Sequence, residues 1–209
     1  MKKLCCALLA LSMLLSASAL GAEAIAGSAG EQVVTPDMAR LYRLQSLVSK
    51  QILEGYGYAE YAAAVVVPDE SQALDELLTV AAVAQLALSD GAQPDAARAE
   101  KLVRSELFDV SATEGMEYLA DYARGIIDGF GGDEAGLLDT AVALKSLTLL
   151  AEDYVQALAR ADQDKSVSTM LKELNARLAS VPLSRDDGAP ATLSQLWLEN
   201  TVFLFAHYE

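Results

Sequence analysis

The stretch from Asp162 to Glu173 has the spacing closest to that of a metal-binding loop. Numbered as an EF-hand calcium loop, it fills positions 1, 3, 5 and 12 with Asp162, Asp164, Ser166 and Glu173. Such a loop needs glycine at position 6, where the backbone turns sharply, and Val167 stands there instead. We therefore expect no metal site and no cofactor, and we predict that Asp164 or Ser166 caps the next helix. Weak calcium binding by residues 162–173 is the alternative.

The residue inventory excludes several kinds of catalytic site. His207 is the only histidine, and the two cysteines, Cys5 and Cys6, lie near the start of the chain. Serine-protease-like triads and most zinc sites need imidazole groups, which one histidine cannot supply. We therefore lean toward a protein that is not an enzyme. The alternative is a hydrolase that uses carboxylates alone, with cell-wall glycans as its substrate.

Acidic side chains recur along one predicted helix. Glu117, Asp121 and Asp128 follow one another at four- and seven-residue steps, which places them on one helical face. Residues 109–139 hold eight acids and one base. This face is our first candidate for partner binding and would suit a basic partner. Its alternative role is that of a solvated surface that keeps the protein soluble.

Two tyrosines form a second candidate contact. Tyr56 and Tyr58 flank Gly57 at a predicted helix boundary, and Tyr61 follows them three residues later. Aromatic rings in such a position can line a groove for a peptide or a glycan. The alternative is ordinary packing of the rings at the end of a helix.

Helix start signals recur along the chain and predict an all-α fold. Thr35-Pro36 and the pair Asp69 and Gln72 are N-terminal capping patterns, and no segment alternates with period two for long enough to be a strand. We predict an irregular bundle of seven to eight helices packed around a long central helix at about 134–161. A degenerate stack of helical hairpins, similar to tetratricopeptide repeats, is the alternative. We expect the last helix to clamp onto the core through four apolar residues, Leu196, Trp197, Phe203 and Leu204.

The first residues have the pattern of a secretory signal peptide. Two lysines precede an apolar run that is too short to span a bilayer, and small residues follow it. We predict a signal peptide at 1–24, a flexible mature N-terminus at 25–34 and a single all-helical domain at 35–209. The protein would then be bacterial and exported, either periplasmic or extracellular, with no transmembrane segment after cleavage.

Charge and composition narrow the class of partner. The chain has 209 residues, 53% of them hydrophobic, and a formal charge of −15, which becomes −16 when residues 1–24 are removed. So negative a protein is repelled by nucleic acid, whereas its many apolar residues argue against intrinsic disorder. The sequence therefore predicts an exported helical protein that acts by binding another macromolecule, most simply a protein.

Overall fold

The computed structural model describes residues 26–110, 116–161 and 165–207, which form eight α-helices, one π-helical turn and a small sheet. The all-α class is confirmed. The predicted signal peptide lies outside the described residues, as do Asp162 and Asp164. The helices are α1 (Pro36–Gly55), α2 (Ala59–Ala64), α3 (Glu70–Ser89), α4 (Ala96–Val103), the π-helical turn (Arg104–Phe108), α5 (Glu117–Phe130), α6 (Glu134–Ala161), α7 (Val167–Leu178) and α8 (Gln195–His207).

Several helices begin where their capping residues predict. The Thr35 side chain accepts a hydrogen bond from the Met38 amide at the start of α1. Asp69 and Gln72 form a reciprocal capping box at the start of α3. These bonds satisfy backbone amides that the first turn of a helix leaves without partners. Among the described helices, none combines the length and the apolar composition needed to cross a membrane.

The long helix α6 contacts α1, α3, α4, α5 and α8, so it occupies the interior of the bundle. The most deeply buried helix is α3, however, with twelve of its 20 residues buried, against nine of 28 in α6. The reason is that α3 lies between α6 and the sheet and is covered by both. The bundle therefore has two central helices, where the sequence predicted only α6.

The segment 25–34, which the sequence predicts to be a flexible N-terminus, contains two short strands. Residues 27–29 and 32–34 form strands β1 (Gly27–Ala29) and β2 (Gln32–Val34), and β3 (Leu183–Arg185) pairs with the other side of β1. Both pairings are antiparallel. Gly30 has a φ of 59° in the two-residue hairpin loop, a conformation that glycine adopts without strain. The sequence did not predict these strands because three residues are too few to show an alternating apolar pattern. In addition, β3, which pairs with β1, comes from a distant part of the chain.

The last helix also differs from its prediction. Leu198 and Val202 are the apolar residues of α8 that are buried in the core, whereas Leu196, Phe203 and Leu204 are exposed. Of the four predicted residues, Trp197 does pack against the core and is partly buried there, as is Phe205. Ser194 caps the helix by accepting a hydrogen bond from the Trp197 amide. Because apolar residues occur on every side of this helix, composition alone could not identify the inward face.

Candidate functional site

The helix α5 carries the predicted acidic face and is anchored to α1. A β-carbon at Gly125 would lie 2.8 Å from Val48 Cγ1, and one at Gly129 would lie 2.6 Å from Leu44 Cδ1. Glycine at these two positions therefore allows the helices to approach closely. The inner face of α5 is apolar, so the acidic residues of the opposite face are directed toward solvent.

Tyr56 and Asp121, which the sequence singled out separately, meet in the folded protein. The hydroxyl group of Tyr56 donates a hydrogen bond to Asp121 Oδ2 at 2.9 Å, although the two residues are 65 positions apart. This bond raises the pKa of Tyr56, and the negative charges of Asp121 and Glu117 act in the same direction. The C-terminal end of α1 is thus joined to the N-terminal half of α5.

Four exposed tyrosines form two ring pairs, one at this junction and one in the residues that directly follow it in the chain. The rings of Tyr56 and Tyr118 pack edge to face with centroids 6.4 Å apart, and those of Tyr58 and Tyr61 do so at 6.2 Å. Tyr58 is 55% exposed and Tyr61 69% exposed. We call these four residues the tyrosine surface. Tyr118 was not predicted as a site residue, although it lies one helical turn before Asp121 and that spacing was a usable signal.

The acidic face is less uniform than its sequence pattern indicates. Asp121 accepts a hydrogen bond from Arg124 at 3.0 Å, so part of its charge is neutralised. Asp128 is exposed and lies seven residues further along α5, about 10 Å at 1.5 Å per residue. Glu117 and Asp121 therefore adjoin the tyrosine surface, and Asp128 is separate from it.

A second feature is a cleft of about 770 Å³ between α1, α3 and the end of β3. Three arginines and four carboxylates line it, namely Arg40, Arg43, Arg185, Asp37, Glu70, Asp186 and Asp187. It is the acid-lined cleft that a carboxylate-only hydrolase would need. No local sequence pattern indicates this cleft, because its lining comes from three distant parts of the chain.

One carboxyl group of the cleft, that of Asp187, has its pKa shifted in the direction opposite to that of a glycosidase's general acid. Such an enzyme needs one carboxyl group with a raised pKa to act as general acid. Arg185 lowers the pKa of Asp187, and the Glu70 side chain is 91% exposed and paired with Arg43. Burial raises the pKa of Glu152, but this residue is on α6 and does not line the cleft.

Residues 165–173, the described part of the stretch that resembles a calcium loop, include the cap of α7. Ser166 Oγ accepts a hydrogen bond from the Thr169 amide, which confirms Ser166 as the cap of α7. Glu173 is paired with Lys165 Nζ at 2.8 Å. Within the described ranges, no group of three or more histidine, cysteine or acidic residues is placed to hold a metal ion. Because Asp162 and Asp164 lie outside those ranges, the calcium prediction stays a prediction.

Comparisons with family models, with curated proteins and with solved structures gave no match, so function has to be argued from this chain's own residues.

Proposed function

We propose that this protein is an exported binding protein whose tyrosine surface recognises a positively charged segment of a protein partner. The observation that carries the proposal is the exposure of four tyrosines next to two carboxylates. Tyrosine is common at protein interfaces because its ring provides a large contact area and loses little conformational freedom on binding.

The surroundings of the tyrosine surface add apolar area. Met116 and Leu119, next to Tyr118 on α5, are also exposed. Soluble proteins rarely leave several large apolar side chains together in water unless another molecule covers them. A partner that covers this region would gain apolar burial from both the aromatic and the aliphatic side chains.

The charge of the region favours a basic partner. Glu117 and Asp121 are carboxylates at the edge of the tyrosine surface, and lysine or arginine can also bind the faces of tyrosine rings. The total charge of the chain would speed the approach of a basic segment, and added salt would slow it. An extended segment with alternating basic and apolar residues fits both kinds of group.

Site-specific photocross-linking in cells tests this proposal. A photoreactive phenylalanine analogue at Tyr61 should give a defined protein adduct, whereas the same analogue at exposed Ala157 on α6 should not. The captured partner, once purified, should bind the Tyr58→Ser/Tyr61→Ser variant at least about tenfold more weakly than the wild type. Equal adducts at the two positions, or equal affinity of wild type and variant, would contradict the proposal.

A carboxylate-only hydrolase is the second candidate function, and the acid-lined cleft is the observation in its favour. Purified protein should then release soluble fragments from cell-wall glycan, and Glu70→Gln or Asp186→Asn should abolish the release. Turnover that both substitutions abolish, together with an unchanged partner affinity of the Tyr58→Ser/Tyr61→Ser variant, would replace the binding proposal.

A further inference from the structure

The cleft between α1, α3 and β3 has the size and floor of a site for a small molecule. Its volume of about 770 Å³ lies within the usual range of ligand pockets, roughly 300 to 1,000 Å³. Its apolar lining consists of Ala26, Pro36, Ala39 and Leu74. Charged groups on α1, on α3 and at the end of β3 complete the lining.

One wall of the cleft presents two arginines that the protein itself holds in place. Arg40 Nη2 donates to the backbone carbonyls of Gly129 and Phe130, both at 3.1 Å, and the guanidinium lies 5.0 Å from the centroid of the Phe130 ring. Arg43 Nε donates to the Pro68 carbonyl at 2.9 Å. A guanidinium has five N–H donors, so each arginine keeps donors for a ligand. Because both are already fixed, little freedom is lost when a carboxylate binds.

A second part of the lining, at the end of β3, is acidic. The Arg185 side chain is only 5% exposed, and four of its five N–H donors are used by Asp75, Asp187 and Ser71. Asp186 also lines the cleft, and its carboxylate makes no ion pair or hydrogen bond with any residue that the structure describes. This part of the lining therefore offers a carboxylate to a cationic group.

The negative charges of Glu70 and Asp37, which also line the cleft, are already stabilised within the protein. Glu70 is paired with Arg43 at 3.3 Å. Asp37 is in the first turn of α1, where the helix dipole stabilises a negative charge. The lining acids outnumber the arginines by four to three, so a purely anionic ligand gains little. A purely cationic ligand would in turn face Arg40 and Arg43.

We infer that this cleft binds a small zwitterion, an amino acid or a short peptide, with its carboxylate at Arg40 and Arg43 and its ammonium group at Asp186. The apolar part of the lining takes the side chains of the ligand. This site is separate from the tyrosine surface and does not depend on the function proposed for it.

Titration followed by NMR tests the inference, with L-alanyl-L-alanine as the probe. The backbone amides of Ala39, Ser71 and Leu74 should shift and saturate below about 10 mM dipeptide. The N-acetylated dipeptide and the dipeptide amide, which each lack one charge, should bind at least about tenfold more weakly. No saturable shift, or equal binding of the three probes, would overturn the inference.

Variants identify which wall binds which charge. Asp186→Asn changes an exposed side chain and should abolish the preference for a free ammonium group. Arg40→Gln should abolish the preference for a free carboxylate, and its thermal melt shows whether the variant is folded. Asp128→Asn, outside the cleft, is the control and should bind like the wild type. Unaltered dipeptide binding by Asp186→Asn would overturn the inference, whereas the Tyr61 cross-link tests the tyrosine surface independently.

Discussion

The central helix α3 and the tyrosine surface use apolar residues in opposite ways. Five alanines of α3 have no exposed area at all, and leucines and valines fill the space around them. At the tyrosine surface, the largest apolar side chains lie in water. The difference shows that the core depends on close approach of small and aliphatic side chains, while the aromatic area is left available for contact with other molecules.

The two regions also differ in how their polar groups are held. Asp75, on α3, accepts hydrogen bonds from Arg185 at 2.9 Å and from the Thr192 hydroxyl at 2.9 Å, which ties the sheet and the loop after it to the core. Among the described residues, every buried side-chain nitrogen and oxygen has a hydrogen-bond partner. Among the residues that the structure describes, the tyrosine surface is held by one hydrogen bond, from Tyr56 to Asp121, and by two edge-to-face contacts. Substitutions should therefore have unequal effects in the two regions.

Leu77→Ala should have the largest effect on stability. Leu77 is fully buried in α3, and its truncation removes apolar contacts and leaves a cavity in the core. We expect the free energy of unfolding to fall by about 2 to 5 kcal/mol, measured by urea denaturation. Leu196→Ala, at an exposed position of α8, is the matched control and should cost less than about 1 kcal/mol. Equal losses would show that α3 is not the packed centre of the bundle.

Arg185→Gln should have the next largest effect. The substitution leaves the partly buried carboxylate of Asp75 without its cationic partner, which we expect to cost about 1 to 3 kcal/mol in urea denaturation. Arg124→Gln breaks the exposed pair with Asp121 and should cost at most about 1 kcal/mol. If the two variants lose the same stability, the Arg185 contacts are not a tether between sheet and core.

Glu152→Gln should stabilise the protein slightly at neutral pH. Burial raises the pKa of Glu152 above its ordinary value of 4.5, so the folded state binds a proton more readily than the unfolded state does. The stability of the wild type therefore falls as the pH rises from 4.5 through the raised pKa, and the neutral amide avoids this loss. Thermal melts should give the variant the higher midpoint at pH 7 and nearly equal midpoints at acidic pH. A lower midpoint for the variant at pH 7 would contradict the assignment.

Tyr58→Ser and Tyr61→Ser should have the smallest effect on stability. Both side chains are more than half exposed and their rings pack against each other, so we expect changes below about 0.5 kcal/mol in urea denaturation. Tyr154→Ser is the contrasting change, because Tyr154 is buried and donates to Asp90 at 2.8 Å. Large destabilisation by the Tyr58 or Tyr61 change would mean that these rings serve packing, which is the alternative that the sequence left open.

Local signals explain why much of the helical architecture could be predicted. The Thr35 cap, the Asp69 capping box and the Ser166 cap each involve residues within three positions of one another. The long helix Glu134–Ala161 was predicted from an apolar pattern over the same range. Such features depend on neighbouring residues alone, so they can be identified in the sequence before the fold is known.

The sequence by itself determined the helices and the types of residue available for binding, because both depend on chemistry within a few positions. The tertiary structure decided which of these residues meet. Tyr56 reaches Asp121 across 65 positions, and Asp75 reaches Arg185 across 110. The sheet joins Ser28 to Ser184 across 156 positions, although none of its strands is longer than three residues. Contacts over such separations form only when packing of the whole chain offsets the entropy lost in closing the loops between them. A local sequence pattern therefore cannot predict them.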